Sequence, residues 1–205
     1  MFVGTPALAA HILERLLTAP GAGLRVVATV TRPDQPRGRK LASAPSEVGA
    51  MAARHNIPTL KPVKIRTPEF VAELKSFDPD LLVVAAYGRI LPQAVLDVPK
   101  IAPMNVHASL LPRHRGASPV EAAILAGDAT TGVTIMRIVK KMDAGPMYLQ
   151  RAIPIAPGDT QSTLKEKLAE LGASAMLEAI DRAARGALVE TAQDEALATY
   201  APRIE

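Results

Sequence analysis

Two spacings of hydrophobic residues alternate along the first half of the chain. Residues 24–31 are rich in Val and Thr, and residues 81–86 are continuously apolar, so each run predicts a strand, the second buried on both faces. Hydrophobic residues before the first run, and again after Thr67, recur every three or four positions, which predicts helices. This alternation predicts an α/β fold with a mostly parallel sheet.

In the second half, residues 104–108 predict a short strand. Ser118 is placed to cap the next helix, with Pro119 at its first position and Glu121 three residues after the cap. Residues 132–139 and 147–155 alternate loosely between apolar and polar, which predicts a β-hairpin.

The last periodic segment predicts a long helix that begins after Thr160 and ends at Gly186. Residues 187–205 have little periodicity and predict a strand-like or irregular tail. We therefore expect one domain over residues 1–186, followed by a tail that starts a linker. No internal repeat or low-complexity segment interrupts the chain.

The composition narrows the possible functions. With 205 residues, 48% of them hydrophobic, the chain is long enough for a sizeable core. The absence of cysteine excludes disulfides, thiolate metal sites and cysteine nucleophiles. No run is long and apolar enough for a membrane span, and the N-terminus lacks the pattern of a secretory signal. We expect a cytoplasmic monomer with no membrane partner and no metal.

The formal net charge of +4 is a mild excess, but part of the positive charge is concentrated in residues 32–45. This stretch has three prolines, one glycine and four cations against one Asp, so we expect an exposed loop without regular structure. Two interpretations stay open from the stretch alone. It is a solvated charged loop, or it is a basic arm that binds phosphates.

Asn105 and His107 lie two residues apart in the predicted strand, so their side chains point to the same side. If the hairpin connection brings Asp143 beside His107, the carboxylate would orient the imidazole and favour its protonated form. A cationic imidazole and the Asn105 amide could then stabilise an oxyanion during acyl transfer. A structural strand histidine and a turn aspartate remain the alternative. Ser109 lacks an evident base, so we do not predict a Ser–His–Asp triad.

Three segments together resemble the 10-formyltetrahydrofolate-dependent formyltransferase family: residues 105–119, 131–136 and 142–145. Residues 4–6 and 31–39 are similar to the branch of that family that acts on methionyl-tRNA. The resemblance covers nearly the whole chain. It implies a doubly wound, Rossmann-like domain with helices on both faces of the sheet, which binds a folate and not a dinucleotide.

The resemblance also implies roles for individual residues. The catalytic positions of the family fall on Asn105, His107 and Asp143. Folate-binding positions fall on two segments, Ser109, Leu110, Leu111 and Pro112, and Tyr87, Gly88, Arg89, Ile90 and Leu91. Positions that contact the tRNA fall on Arg32, Arg37, Arg39 and Lys40. Relative to the family pattern, the basic loop is slightly short, the first strand starts late and a C-terminal β-barrel is missing.

The resemblance therefore implies formyl transfer from 10-formyltetrahydrofolate to the α-amino group of initiator methionyl-tRNA. Rival enzymes would formylate a sugar-nucleotide amine or hydrolyse the formyl-folate. A rival from another class is an inactive module that binds folate or RNA. His114 lies between Arg113 and Arg115, where it either contacts a phosphate or is solvated.

Overall fold

The computed structural model describes residues 1–20, 23–37 and 42–204, with the side chains of Arg37 and Ala42 left aside. The chain divides into two units, residues 1–103 and 104–205. In the described ranges, no helix combines the length and the apolar character needed to cross a bilayer.

The described residues of the first unit form four helices, a set of short parallel strands and one antiparallel pair. Its elements are β1 (Phe2–Gly4), α1 (Ala7–Thr18), β2 (Thr29–Val30), β3 (Gln35–Arg37), β4 (Ala42–Ala44), α2 (Glu47–Arg54), β5 (Thr59–Leu60), α3 (Pro68–Ser76), β6 (Leu81–Ala85) and α4 (Gln93–Leu96). Its strands follow the order β6-β1-β2-β5, and each of these pairings is parallel. The predicted strand–helix alternation is therefore observed here.

Local sequence signals place these elements. The Thr67 side chain accepts a hydrogen bond from the Phe70 amide, and Pro68 occupies the first turn, so α3 begins where the sequence predicts. Four of the five residues of β6 are buried, as expected of a continuous apolar strand.

Two predictions for the first unit need correction. The strand predicted over residues 24–31 is present but shorter, since only Thr29 and Val30 pair in the sheet. Residues 32–45 were expected to lack regular structure, but β3 and β4 pair antiparallel, with Gln35 opposite Ala44. A proline is tolerated at Pro36 because a two-stranded ribbon leaves one edge of each strand unpaired.

The second unit is built around an antiparallel sheet and one long helix. Its elements are β7 (Ala102–His107), which starts at the unit boundary, β8 (Arg115–Gly116), α5 (Pro119–Leu125), β9 (Thr130–Arg137), β10 (Met147–Pro154), α6 (Gln161–Ala184), a 3₁₀ turn (Glu195–Leu197) and β11 (Tyr200–Ala201). The strand order is β10-β9-β7, and both pairings are antiparallel. β9 and β10 form the predicted hairpin.

Helix α6 supplies much of the apolar core of this unit. Thr160 caps it through the Thr163 amide, and Leu164, Leu168 and Met176 on its inner face are fully buried. Burying side chains of this size stabilises a fold by about 1.5–3 kcal/mol each. Gly186 follows the helix with φ +65°, a conformation that suits glycine.

Residues 187–204, which we call the C-terminal segment, pack on the second unit. β11 pairs parallel with β8, and Thr191 exchanges two backbone hydrogen bonds with Met147. The predicted Ser118 side-chain cap of α5 is wrong, because the Ser118 hydroxyl instead accepts a hydrogen bond from the Ile204 amide. The domain boundary at residue 186 stays a prediction.

Candidate active site

His107 is the last residue of β7, and its side chain is buried. Its Nε2 lies 2.9 Å from the carbonyl oxygen of His114. A carbonyl oxygen only accepts, so Nε2 carries a proton and donates it to this bond. The second ring nitrogen, Nδ1, is therefore the position where the imidazole can gain or lose a proton.

Asp143 is the residue that faces this nitrogen. Its Oδ2 lies 3.8 Å from His107 Nδ1, which is too long for a direct hydrogen bond but close enough for one bridging water or a small shift. The same oxygen accepts a hydrogen bond of 2.8 Å from the Gly116 amide. Asp143 also has φ +49°, a left-handed conformation that non-glycine residues adopt at a cost of about 1–2 kcal/mol. The hairpin connection thus brings Asp143 beside His107.

Asn105 lies two residues before His107 on the same strand and is half-buried. Its register position is opposite Met136 of β9, and His107 is opposite Thr134, so both belong to the same ladder. Among the residues that the structure describes, none forms a hydrogen bond with the Asn105 amide. A preformed amide donor of this kind is available to an incoming oxygen atom.

The segment Ser109–Pro112 is held by hydrogen bonds to its backbone. The Thr134 hydroxyl donates to the Ser109 carbonyl at 2.7 Å and accepts from the Leu111 amide at 3.1 Å. The Gln150 amide donates to the Leu111 carbonyl at 2.8 Å. The Ser109 hydroxyl donates to the Arg113 carbonyl at 2.6 Å, so it shapes the loop and has no base beside it. Leu110 and Pro112 are half-buried, and Leu111 is buried.

In the basic run Arg113–Arg115, only Arg113 is exposed, and its guanidinium is paired with Asp128. Asp128 accepts two hydrogen bonds from Arg113, at 2.9 and 2.5 Å, and lies 2.7 Å from His114 Nε2. The hydrogen bonds from Arg113, with a smaller contribution from His114, lower the pKa of Asp128 to about 2. His114 is buried, so the expectation that it is solvated or reaches a phosphate is wrong: its ring is engaged with Asp128.

Tyr87–Leu91 lie in the first unit, just after β6. Tyr87 is buried, and no described residue forms a hydrogen bond with its hydroxyl. Burial raises the pKa of the Tyr87 phenol, and the charges of Arg89 and Arg32 partly offset this. Arg89 donates to the carbonyls of Pro62 and Val63. Gly88 has φ +76°, Ile90 is exposed and Leu91 is half-buried.

Of the four predicted tRNA-binding residues, only Arg32 has a described side chain, and it is exposed. The Arg37 backbone belongs to β3, while Arg39 and Lys40 lie outside the described residues. β3 and β4 flank this stretch in sequence.

Known proteins are similar to this chain in sequence and in the arrangement of their elements. Residues 1–180 match the formyl transferase family model. The chain belongs to the formyl transferase family. It is also 50% identical, over 204 residues, to the methionyl-tRNA formyltransferase of Pseudomonas syringae pv. tomato, covering all of this chain and 64% of that protein. The chain therefore spans less than two thirds of the length of the curated relatives it matches.

Solved structures confirm the α/β, Rossmann-like fold of this formyl transferase chain. The glycinamide ribonucleotide transformylase 1 of Symbiobacterium toebii aligns with a TM-score of 0.77 and 22% identity, over 94% of this chain and 92% of that one. An N-formyltransferase from Helicobacter canadensis, solved with folinic acid and dTDP-3-aminofucose, aligns with a TM-score of 0.68 and 18% identity, over 98% and 70%.

Several residues that hold the candidate site were not predicted from the sequence. Gln193 and Glu195 bond to the guanidinium of Arg115, whose side chain is completely buried, and Thr199 bonds to the backbone at His114. These three residues lie in a segment without periodicity, so no sequence pattern identifies them. Thr134 had a weak signal, since it is a polar residue between the buried Val133 and Ile135.

Proposed function

We propose that this chain transfers the formyl group of 10-formyltetrahydrofolate to the α-amino group of methionyl-tRNA, in the cytoplasm. The observation that supports this most is the arrangement of Asn105, His107 and Asp143: an amide donor without a described partner, a buried imidazole with one free nitrogen, and a carboxylate facing that nitrogen. The names of the relatives agree with the proposal.

The geometry suits an attack on a formyl carbon. The neutral amine attacks the carbon, and the carbonyl π electrons move onto the oxygen. The Asn105 amide and the protonated His107 would stabilise that oxyanion. Donors that are fixed before the reaction are effective in a buried site, because they need no reorganisation as charge develops.

The proton balance gives Asp143 its role. The attacking nitrogen loses one proton, and N10 of the folate gains one as it leaves. The carboxylate lies 3.8 Å from His107 Nδ1, so the two groups can pass a proton directly after a small movement or through one water. The hydrogen bond that the Gly116 amide donates to Asp143 Oδ2 holds the carboxylate at this position.

The folate would bind along Ser109–Pro112, whose backbone is held by Thr134 and Gln150. Tyr87–Leu91, in the first unit, stay a separate folate-binding prediction. Arg32, Arg37, Arg39 and Lys40 would bind phosphates of the tRNA. Non-sequence-specific phosphate contacts of this type weaken as salt rises. The proposed chemistry assigns each role to a side chain and uses no metal ion.

The test is transfer of a labelled formyl group from 10-formyltetrahydrofolate to initiator methionyl-tRNA, at low and at moderate salt. We expect transfer that falls as salt rises. Parallel reactions would contain a sugar-nucleotide amine, glycinamide ribonucleotide, or water alone as acceptor. Faster transfer to any of these than to the tRNA would overturn the proposed acceptor. If folate binds but tetrahydrofolate is released in none of these reactions, the proposed activity is overturned.

A further inference from the structure

Gln193 in the C-terminal segment contacts two parts of the site at once. Its Nε2 donates to the carbonyl oxygens of Asp143 and Gly145, both at 2.8 Å. Its Oε1 accepts from Nε and Nη2 of Arg115, at 3.0 and 2.8 Å. One amide side chain therefore uses both of its donor protons and its acceptor oxygen.

The Asp143 carboxylate is held by a hydrogen bond from Gly116, and Gln193 contacts the chain next to both of these groups. Asp143 Oδ2 accepts from the Gly116 amide, and Gly116 directly follows Arg115. Gln193 thus ties the backbone of residue 143 to the side chain of residue 115, while the Asp143 side chain closes the loop to the backbone of residue 116. Asp143 has φ +49°, and such a conformation persists only where the surroundings hold it.

Arg115 gives this link a fixed anchor. Its guanidinium is completely buried and also pairs with Glu195, at 2.9 Å, and Glu195 in turn pairs with Lys141 in the same hairpin connection as Asp143. The hydrogen bonds from Arg115, followed by those from Lys141, lower the pKa of Glu195 to about 2.

We propose that Gln193 is a positioning residue for formyl transfer: it holds the backbone of Asp143 so that the carboxylate faces Nδ1 of His107. This inference rests on the proposed function of the site. Gln193 does not touch the reacting atoms in this scheme, and it acts only through Asp143. A displacement of about 1 Å at a catalytic group is enough to reduce turnover by up to about 100-fold.

Gln193→Glu separates the two contacts of the side chain. The carboxylate keeps an acceptor for Arg115, so the buried guanidinium stays paired. It loses both donors and places negative oxygen against the carbonyls of Asp143 and Gly145, which we expect to displace the Asp143 backbone. The matched control is Glu190→Gln. Glu190 lies in the same C-terminal segment, but its partners are Arg137 and Tyr148 and not the Asp143 connection.

The first readout is independent of activity. The amide hydrogen of Gly116 is protected by Asp143 Oδ2, while the neighbouring amide of Arg115 is protected by the Thr199 carbonyl. In Gln193→Glu we expect faster amide exchange at Gly116 and unchanged exchange at Arg115. Unchanged exchange at Gly116, or equal loss of protection at both amides, would overturn the proposal, because the first excludes displacement of Asp143 and the second is general loosening.

The second readout is kcat for formyl transfer. We expect a fall of about tenfold or more in Gln193→Glu and a change of less than about twofold in Glu190→Gln. A wild-type kcat in Gln193→Glu would overturn the inference. If the wild-type protein transfers no formyl group, the proposed function fails, and the exchange measurement still decides whether Gln193 positions Asp143.

Discussion

Two buried histidines in the second unit each face a carboxylate, but the two pairs differ in how closely they are joined. His114 Nε2 lies 2.7 Å from Asp128, and Arg113 donates two further hydrogen bonds to that carboxylate. His107 Nδ1 lies 3.8 Å from Asp143, and that carboxylate has one further bond, to a backbone amide. The first pair is closed by direct hydrogen bonds, and the second pair is open, because no described group bonds directly to Nδ1 of His107.

The difference indicates what each pair can do. A closed, charge-assisted network holds backbone in place, and His114 uses it to keep its own carbonyl oxygen on His107 Nε2. In the open pair, Nδ1 of His107 has no direct hydrogen bond to a described group, so this nitrogen keeps its capacity to exchange a proton with a substrate. The closed pair should therefore govern stability, and the open pair should govern turnover.

The strongest test of this contrast removes the open pair. In His107→Asn or Asp143→Asn we expect kcat to fall by about 100- to 10,000-fold, because each loses a group that moves protons or stabilises charge. Far-ultraviolet circular dichroism and the urea midpoint should change little. His55→Asn, at an exposed helix end, is the control. A turnover near the wild-type value in either variant would exclude the assigned role.

The next effect in size concerns the amide donor on the same strand. Asn105→Ala should lower kcat by about 100- to 1,000-fold, the usual effect of losing one oxyanion donor. Asn105→Asp should be slower still, since a carboxylate repels the developing negative charge. Single-turnover rates would measure both. If the Asp variant proved faster than the Ala variant, the oxyanion role of this residue would be wrong.

Breaking the closed pair should have the opposite profile. Asp128→Asn weakens the bonds to Arg113 and His114, so we expect a loss of about 1–3 kcal/mol in the free energy of unfolding. Turnover should fall by less than about tenfold, through movement of the His114 carbonyl. Urea unfolding and kcat measured on the same preparations test this. A large loss of kcat with unchanged stability would reverse the assignment of the two pairs.

The pH dependence of stability tests whether Asp128 stabilises the fold as an anion. The folded-state pKa of Asp128 is about 2, below the usual value near 3.8, so its contribution to stability is complete above about pH 4 and is lost as the pH falls towards 2. The difference in unfolding free energy between wild type and Asp128→Asn should therefore shrink over that interval. A constant difference from pH 6 to pH 2 would show that Asp128 is not stabilised as an anion.

The smallest effect concerns an exposed arginine in the first unit. Lys61 is paired with Asp34, whereas no described residue pairs with the exposed Arg32. Arg32→Ala should raise the KM for tRNA a few-fold and reduce the slope of log affinity against log salt by about 1. Lys75→Ala, on the exposed face of α3, is the control. An unchanged slope would remove Arg32 from the proposed tRNA surface.

The sequence predicts these features unevenly, and the reason is the range of the interactions. The α3 start at Thr67, the buried β6 and the β9–β10 hairpin follow from local patterns, and all three are confirmed. The spacing of Asn105 and His107 on one strand was also predicted locally. The approach of Asp143 to His107 was only a condition of the hypothesis, favoured by the resemblance, and the 3.8 Å distance meets that condition.

Features that depend on distant residues were missed. The hydroxyl of Ser118 bonds to Ile204, so the local capping pattern gave a wrong prediction. The guanidinium of Arg115 bonds to Gln193 and Glu195, which the local charge pattern does not identify. His114, which lies between two cations, was expected to contact a phosphate or to be solvated, but its ring is bound by a carboxylate fourteen residues later.

The parallel pairing of β8 with β11 has a consequence for biosynthesis. Gly116 has φ +120°, and a Cβ added there would lie 2.5 Å from the carbonyl oxygen of Ala201, so this turn is shaped for a strand made about 85 residues later. During vectorial synthesis the guanidinium of Arg115 lacks its partners Gln193 and Glu195, just before that strand, until they leave the ribosome. The nascent second unit should therefore reach its native arrangement only after residues 193–201 have emerged, and the Asp143 carboxylate should be fixed only then.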